Sequence, residues 1–351
     1  MVKTRDLYWD TVKFVLIFLV LYGHFIQPFR ENSQFNMTMF NFIYAFHMPL
    51  FVFISGKFSR FSDPKKYRKG IFKLIETYVV FQCALCLTAY IMGEKPYFGM
   101  LTTPRFALWY LVALIYYRIF VYINICLIYE YKRKVPATSR HSTLIVLIVS
   151  ILISLVAPML PIGGHFAIKR AMTFAPFFVL GYFSDGIEIK TIIKRIPIWL
   201  SVLYLIALFV TLFIGLQYYD INLGTIVHWS FVYGGEGMSV YLIRVLIRIL
   251  FIPFSILTAA MVMRLIRTIN RIDMLGKNIS MFIFIYHMFA VYLLVYLVSN
   301  GFLVQNEILL FIYSVIGTVI LVLLSKIKLF NILLNPITYF VQKKENTEQN
   351  K

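Results

Sequence analysis

The sequence predicts an all-α integral membrane protein, a bundle of about ten transmembrane helices with both termini on the cytoplasmic side. Apolar residues make up 60% of the chain and charged residues only 14%, which is more apolar surface than a soluble domain can bury. The apolar residues occur in runs as long as a bilayer is thick. The formal net charge of +19 lies mainly in the short loops between these runs. The charge pattern therefore predicts contact with a lipid bilayer and no nucleic-acid partner.

Ten runs have the length and composition of membrane-spanning helices. In chain order they cover residues 11–29, 38–58, 70–92, 107–130, 142–160, 170–184, 196–218, 237–264, 278–299 and 303–325. The sixth is short and contains Pro176 and Gly181. No internal repeat is evident.

Loop charge predicts the orientation. The loops after spans 2, 4, 6 and 8 are dense in Lys and Arg, whereas the alternate loops hold few cations. The positive-inside rule then places both termini in the cytoplasm. We expect residues 1–337 to form a single transmembrane domain and residues 338–351 a disordered cytoplasmic tail. The first run has no small-residue cleavage site before it, so it is predicted to be a retained helix.

Span 1 carries three ionisable residues, Asp10, Lys13 and His24. At 100° per residue, the eleven residues from Lys13 to His24 place both side chains on nearly the same helix face, about 16 Å apart along the axis. Asp10 precedes Lys13 by three residues and can pair with it. Lys13 can alternatively be explained as a lysine that extends to the cytoplasmic interface. That explanation does not account for His24, which lies past the middle of the span.

Two further histidines are predicted at a similar depth, His47 in span 2 and His287 in span 9. A single buried histidine is usually a structural hydrogen-bond donor, but three at one depth favour proton-transfer chemistry. Cys83 and Cys86 form a C-x-x-C without a second pair. They are interpreted as small apolar residues on one helix face, and we expect no metal site.

Arginines also occur at depth in the predicted spans and outnumber the internal acids. They are Arg118, Arg170, Arg244 and Arg248. Buried arginine requires compensation. Either a phosphate-bearing or carboxylate ligand supplies it, or backbone carbonyls and ordered water do.

The cytoplasmic mouth between spans 2 and 3 is basic. It contains Lys57, Arg60, Lys65, Lys66, Arg68, Lys69 and Lys73. Most of this charge is explained by topology and anionic lipid, and a subset can alternatively hold the phosphates of a nucleotide-like donor.

Five motifs in order resemble the membrane acyltransferase-3 family. Asp10-x-x-Lys13, ten residues and His24 resemble its first-helix signature, and "FHMPLFVFISGKF" resembles its second helix. "LWYLVALIYYRI", "RAMTFAPFFVLGYF" and "YHMF" follow in the family order. The overall pattern is most similar to the fucose 4-O-acetylase-like and surface-glycan O-acyltransferase branch. One departure is "YRKGIFKLIETY", which lacks the proline and the strict basic spacing of the family's third helix.

The resemblance implies an integral O-acyltransferase of the bacterial inner membrane. The expected reaction moves an acetyl group from acetyl-CoA to a sugar hydroxyl of a lipid-linked or surface polysaccharide. Under it, His24 is the general base or, alternatively, a nucleophile, with Lys13 and Asp10 beside it in the catalytic set. Arg118 or Arg170 would stabilise the oxyanion. The donor is expected on Lys13, Arg68, Lys69, Lys73 and Arg118. The acceptor is expected on His47, Trp109, Tyr110, Arg170, Arg244, Arg248 and His287.

Two alternatives stay open at this point. Trp109 and Tyr110 can provide a stacking face for a sugar or can be interfacial anchors. Ten helices with charged residues at mid-depth also describe a transporter or flippase of lipid-linked glycans without acyl-transfer chemistry.

Overall fold

The structure, a computed structural model, describes residues 6–59, 64–95, 97–131, 140–160, 164–184, 186–218, 238–269 and 279–349. These ranges are α-helical with short 3₁₀ turns and contain no strand. Their α-helices are α1 (Leu7–Ile26), α2 (Gln34–Tyr44), α3 (His47–Phe58), α4 (Pro64–Ile91), α5 (Trp109–Tyr131), α6 (Arg140–Val156), α7 (Ile168–Tyr182), α8 (Ile189–Arg195), α9 (Ile198–Tyr218), α10 (Met238–Ile266), α11 (Ile279–Ser299), α12 (Glu307–Leu324), α13 (Lys328–Leu334) and α14 (Pro336–Gln349).

Within the described residues, eight helical segments are long and apolar enough to cross a membrane. They are Leu7–Asn32, Gln34–Phe58, Lys65–Ile91, Phe106–Ile123, Ile198–Leu216, Leu242–Ile266, Ile279–Ser299 and Glu307–Leu324. The fold-class prediction of an all-α integral membrane protein is confirmed. Predicted spans 5 and 6 correspond to α6 and α7, which have only 17 and 15 residues.

Helix α1 lies inside the bundle and positions the site. It begins after Asp6, whose carboxylate accepts a hydrogen bond from the backbone N–H of Tyr8 at 3.2 Å, an N-cap that satisfies one free donor of the first turn. Its apolar residues Val12, Leu16 and Leu21 are fully buried, and it packs against α2, α11 and α12. The buried face of α1 is therefore held among other helices and not in lipid.

The second predicted span is broken into α2 and α3, and Pro49 explains the break. Pro49 has no N–H to donate to the carbonyl of Ala45, four residues earlier. The hydroxyl of Ser255 on α10 donates to that carbonyl instead, at 2.9 Å. As a result α3 begins at His47, and its N-terminus lies inside the bundle.

Two glycines allow α3 and α7 to cross in close contact. A Cβ on Gly56 would lie 2.9 Å from the backbone nitrogen of Tyr182, and a Cβ on Gly181 would lie 3.0 Å from the backbone nitrogen of Lys57. Small residues at a crossing let helix backbones approach within a membrane. These contacts fix the C-terminal ends of α3 and α7 relative to each other.

The C-terminal segment differs from the prediction. Residues 338–349, expected to be disordered, belong to helix α14, Pro336–Gln349. Proline suits the first helical position, and the buried carboxylate of Glu76 on α4 accepts hydrogen bonds from Thr338 N at 3.1 Å and from Thr338 Oγ1 at 2.5 Å. The carboxylate of Glu76 thus serves as the N-terminal cap of α14. Glu76 has this structural contact and does not lie at the cavity described below.

Candidate functional site

A cavity of about 280 Å³ lies at the C-terminal end of α1. Its volume is near the lower end of the range for small-molecule pockets, about 300–1,000 Å³. The wall combines apolar, aromatic and polar side chains from several helices and from the loop before α5. The lining residues are Val20, His24, Gln27, Tyr44, His47, Met48, Pro104, Phe106, Ala107, Trp109, Arg170 and Phe174.

His24 lines the cavity from the last turn of α1. Its Nδ1 lies 2.9 Å from Oε1 of Gln27, and because an amide oxygen can only accept, Nδ1 carries the hydrogen. In the neutral imidazole this leaves Nε2 as the unprotonated nitrogen. The arrangement suits a general base whose tautomer is set by a neighbour one helical turn away.

His47 and Tyr44 form the wall supplied by the broken second span. His47 is the first residue of α3, and its Nδ1 donates to the carbonyl of Ile43 at 2.8 Å. The Tyr44 ring packs edge-on against His47 at 4.5 Å and lies 6.4 Å from the ring of His24. The break at Pro49 thus brings two polar rings of α2 and α3 to the histidine of α1.

Arg170 and Trp109 form the opposite wall. The Arg170 guanidinium lies over the indole of Trp109, 5.3 Å from the ring centroid, and Phe174 stacks against the same indole at 5.1 Å. Among the described residues no carboxylate lies within ion-pair distance of Arg170. A guanidinium held on an aromatic face and open to a cavity is suited to an anionic or strongly polar ligand.

Three helices begin at this cavity. α3 begins at His47 and α5 at Trp109, while Arg170 lies in the first turn of α7. Helix N-termini carry unpaired N–H groups and a partial positive charge. The C-terminal ends of α1 and α2 also lie here, at Gln27 and Tyr44, so the guanidinium of Arg170 is the main positive group of the cavity.

The loop before α5 forms the roof of the cavity through Pro104, Phe106 and Ala107. Phe106 has a left-handed backbone with φ of 44°, a conformation that is costly for a bulky residue and clusters at functional sites. The backbone N–H of Phe166 donates to Thr102 O at 2.7 Å, which ties this loop to the segment that precedes α7.

Arg105 links the other side of this loop to α4 and α11. Its guanidinium donates to the hydroxyl of Tyr292 on α11 at 3.0 Å and pairs with the Glu94 carboxylate at 2.8 Å. Its backbone N–H donates to Gln82 on α4 at 3.0 Å. The Arg105 guanidinium lowers the pKa of Glu94 below its ordinary value of 4.5.

His287 on α11 lies behind His24, outside the residues that line the cavity. Its ring centroid is 5.1 Å from that of His24, and its side chain is fully buried. Nδ1 lies 3.2 Å from the carbonyl of Ile283, so it is the nitrogen that donates. Nε2 is buried without a hydrogen-bond partner in the described part of the chain.

Lys13 and Asp10 lie further toward the N-terminus of α1. Lys13 Nζ is 3.5 Å from Asp10 Oδ1 and 4.0 Å from the centroid of the Phe58 ring. Neither residue lines the cavity, and Lys13 is about 16 Å from His24 along the helix axis. The structure therefore groups His24 with Gln27 and separates it from the Lys13–Asp10 pair.

The remaining basic residues predicted for the donor lie on α4 and α5. Arg68 and Lys69 are exposed and Lys73 is partly exposed on the first turns of α4. Arg118 on α5 is partly buried, with its Nε unpaired in the described part of the chain. A Cβ at Gly70 would lie 3.3 Å from Arg118 Nη1, so Arg118 lies against the basic face of α4 and not at the cavity.

Three residues predicted for the acceptor are placed away from the cavity. Tyr110 is buried in the bundle, where its hydroxyl bonds to Ser55 and its ring packs against Phe284 at 5.1 Å. Arg248 is buried on α10 and donates to Thr173 Oγ1 at 2.6 Å. Arg244, one turn before it, is partly exposed and does not line the cavity either.

Among the lining residues that the sequence reasoning missed, four have polar or aromatic side chains: Gln27, Tyr44, Phe106 and Phe174. Gln27 had a usable signal, because it is a polar residue three positions after the histidine and thus on the same helix face. Tyr44 precedes His47 by three residues, but Pro49 breaks the helix between them. The roof residue Phe106 follows from the path of a loop, for which the sequence carries no periodic signal. Within the described ranges no group of three or more His, Cys, Asp or Glu side chains is placed to hold a metal ion.

Comparisons with known proteins find one family model that matches most of the chain and one relative that matches a short segment. A family model described as an acyltransferase domain matches residues 6–326. Nodulation protein NolL of Sinorhizobium fredii (strain NBRC 101917 / NGR234) is 46% identical over 57 residues, which cover 15% of this chain and 16% of NolL. No solved structure matches the chain.

Proposed function

The chain belongs to the membrane acyltransferase-3 family, whose acyltransferase domain spans residues 6–326, and from this premise we propose that it transfers an acetyl group from acetyl-CoA to a sugar hydroxyl of a lipid-linked or surface polysaccharide. Membership makes the chain a multi-pass membrane acyltransferase. The acetyl donor, the glycan acceptor and residence in a bacterial inner membrane are the proposed parts. The observation that carries the proposal is a histidine of fixed tautomer in a cavity with an arginine on an aromatic face.

His24 is the proposed general base. Nδ1 donates to Gln27, so Nε2 is free to take the proton of the acceptor hydroxyl as its oxygen attacks the thioester carbon. The carbon–oxygen bond forms, the carbon–sulfur bond breaks, and the thiolate leaving group takes the proton back from His24. The products are the sugar ester and free CoA thiol. A transient acyl-imidazole on His24 is the alternative route, in which the same Nε2 attacks first.

Arg170 is the proposed partner of negative charge. The tetrahedral intermediate carries an oxyanion, and the cavity offers the Arg170 guanidinium together with the N-termini of α3, α5 and α7. Positive groups fixed before the reaction stabilise such charge without reorganisation. Trp109, between Arg170 and Phe174, holds the guanidinium on its indole face.

The donor is proposed to approach from the basic N-terminal side of α1 and α4. Lys13 and Arg118, with Arg68, Lys69 and Lys73 at the surface, would hold its phosphates. The long pantetheine arm would cover the distance of about 16 Å from Lys13 to His24. Asp10 would hold Lys13 in place through their ion pair at 3.5 Å.

Mass analysis of surface glycans tests this function. Cells lacking the chain are complemented with the native form, with His24→Ala or with His165→Ala as a matched control. His165 is an exposed histidine that contacts Thr102 and does not line the cavity. We expect the native form and His165→Ala to restore one acetyl mass on the glycan, and His24→Ala to leave it missing. Glycans that keep their acetyl groups in the deletion strain would contradict the proposal.

Stabilisation by CoA separates an acyltransferase from a flippase of the same glycans. A ligand present at 100 times its Kd stabilises the folded state by about 2.7 kcal/mol. We expect CoA to raise the melting temperature of the purified protein and Lys13→Ala to reduce this effect. A carrier without acyl chemistry would show no change with CoA.

A further inference from the structure

Two hydroxyl groups inside the bundle have no part in the chemistry proposed at His24. Ser55 on α3 and Tyr110 on α5, called the hydroxyl pair below, are hydrogen-bonded to each other through their side chains, and neither residue lines the cavity. Tyr110 is buried, while Ser55 is partly exposed. A hydroxyl can both donate and accept, so each member of the pair is able to exchange this bond for a bond to a ligand.

The hydroxyl pair lies between Lys13 and the cavity. Helix α3 begins at the cavity with His47 and ends at Phe58, whose ring centroid is 4.0 Å from Nζ of Lys13. Ser55 comes eight residues after His47 and three before Phe58, which places it about 12 Å from His47 along the helix axis. A ligand that extends from Lys13 to the cavity therefore passes the depth of the hydroxyl pair.

The rings around the hydroxyl pair are apolar and closely packed. The Tyr110 ring lies 5.7 Å from that of Phe51 on α3 and 5.1 Å from that of Phe284 on α11. Phe51 and Phe284 are 6.3 Å apart, and all three side chains are buried. We call these three residues the aromatic layer. Since Phe51 is one helical turn after His47, the aromatic layer lies on the Lys13 side of the cavity.

Helix α1 is apolar over the same interval. Ile17 and Val20 lie on the helix face that carries Lys13 and His24, and both side chains are buried. An extended ligand that connects Lys13 to His24 thus meets apolar groups from α1 and from the aromatic layer. Its polar contacts at this depth come from the hydroxyl pair.

The arm of CoA has the chemistry that such a path requires. Pantetheine is a narrow chain of methylene groups interrupted by amides, and it ends in the thiol that carries the acyl group. Methylene groups are stabilised by contact with apolar side chains, but an amide that is buried without hydrogen bonds costs free energy. A chain of this kind needs hydrogen-bonding partners within an otherwise apolar path, and the hydroxyl pair supplies them.

We propose that Ser55 and Tyr110 form the binding site for the pantetheine amides of the acyl donor. When the arm enters, the bond between the two side chains breaks, the Tyr110 hydroxyl donates to an amide carbonyl of the arm, and the Ser55 hydroxyl accepts from an amide N–H. The Tyr110 ring moves with its hydroxyl, which makes room for the arm in the aromatic layer. The thioester then reaches His24, while the phosphates stay near Lys13.

The inference rests on the proposed function, and a binding experiment without turnover tests it. Calorimetric titration of the purified protein measures the Kd of CoA and of adenosine 3′,5′-bisphosphate, which has phosphates of the CoA head but no pantetheine arm. We expect Tyr110→Phe to raise the Kd of CoA about tenfold and to keep the Kd of the bisphosphate within about twofold of its native value. In the variant an amide carbonyl of bound CoA is buried without a donor, whereas Ser55 of the unbound protein can donate to the backbone carbonyl four residues earlier.

Tyr117→Phe is the matched control. Tyr117 is a buried tyrosine on the same helix, and its hydroxyl donates to the carbonyl of Ala171 at 2.6 Å and not to the hydroxyl pair. Both variants keep the aromatic ring and lose one buried hydroxyl, and thermal unfolding of each confirms the fold. We expect Tyr117→Phe to bind both probes with native Kd values. An equal rise for CoA and the bisphosphate in Tyr110→Phe would mean that the Tyr110 hydroxyl is structural, and would overturn the inference.

The outcomes separate this inference from the proposed function. A native protein that binds neither probe would overturn both. A native Kd for CoA in Tyr110→Phe would overturn the inference and leave the proposed function standing. A rise for CoA alone, in a protein that transfers no acetyl group, would support the arm site and contradict the proposed reaction. Where acetyl transfer is measured, we expect Tyr110→Phe to raise the KM for acetyl-CoA about tenfold with kcat within about twofold, and a loss of kcat alone would contradict the inference.

Discussion

Nδ1 of His24 lies 2.9 Å from Oε1 of Gln27, one helical turn further along the chain. This hydrogen bond fixes both the ring orientation and the tautomer of the histidine that lines the cavity. Gln27 is also a lining residue, so the two side chains belong to one functional unit. In the proposed mechanism, the partner of His24 is therefore Gln27, which this contact identifies, and not Lys13, which the sequence spacing suggested.

Gln27→Leu is expected to lower kcat for acyl transfer about tenfold, because Nε2 of His24 is then no longer the preferred unprotonated nitrogen. Gln27→Glu keeps an acceptor for Nδ1 and is expected to retain most of the activity. Steady-state kinetics of the two variants checks this. Equal activity of Gln27→Leu and the native protein would show that the hydrogen bond has no part in the reaction.

Arg170→Gln is expected to lower kcat/KM about 100-fold, because it removes the only guanidinium among the described lining residues. Arg170→Lys should be intermediate, since it keeps the charge but loses the planar group over Trp109. Lys169→Gln, one residue earlier and not in the cavity lining, is the matched control for lost charge. An unchanged rate in Arg170→Gln would remove Arg170 from the proposed mechanism.

Glu76→Ala is expected to destabilise the docking of α14, since the buried carboxylate accepts from Thr338 N and Oγ1. Removing one partner of a buried hydrogen bond costs about 1–3 kcal/mol. The expected signs are a lower melting temperature and faster tryptic cleavage at Lys343. Glu76→Gln keeps an acceptor oxygen, so its melting temperature and cleavage rate should fall between those of the native protein and Glu76→Ala. Cleavage at the native rate in Glu76→Ala would mean that other contacts hold the helix.

The ion pair between Glu94 and Arg105 predicts a pH dependence of the roof. Arg105 lowers the pKa of Glu94 below 4.5 in the folded protein, so the pair's stabilisation is present above this value and is lost as the pH falls through the folded pKa. Native protein should therefore melt higher than Glu94→Gln at neutral pH, and the difference should disappear in acid. Glu31→Gln is the control, because it removes a carboxylate from another exposed ion pair, the one with Arg30. A difference that persists in strong acid would contradict the assignment.

The sequence predicted the fold class well because bilayer thickness and loop charge act on composition, and composition is visible in one sequence. The break in the second span was also readable in principle, since Pro49 lies inside the run of residues 38–58. Its consequence was not readable. Only the packing of α10 shows that Ser255 replaces the missing donor at Ala45 and that α3 starts at the cavity.

Four of the residues that line the cavity could be singled out from the sequence for a related reason. His24, His47, Trp109 and Arg170 are unusual residues in apolar segments, and the structure brings all of them to one cavity. The position of a residue along its helix gives its depth in the membrane, but it cannot distinguish a side chain that lines a cavity from one that lies behind it. His287 was therefore predicted to line the site, although it is buried behind His24. Arg248 was predicted for the same reason, but it is buried on α10 and donates to Thr173.

Acetyl transfer by purified His24→Ala protein is the measurement that bears most directly on the proposed chemistry. Thermal unfolding of separate samples first shows that the native protein, His24→Ala and His165→Ala are equally folded. Each is then reconstituted in lipid nanodiscs with labelled acetyl-CoA and membrane glycan, and the label transferred to the glycan is counted. We predict that His24→Ala loses at least about 100-fold in rate while His165→Ala transfers at the native rate. Full transfer by a correctly folded His24→Ala protein would contradict the account.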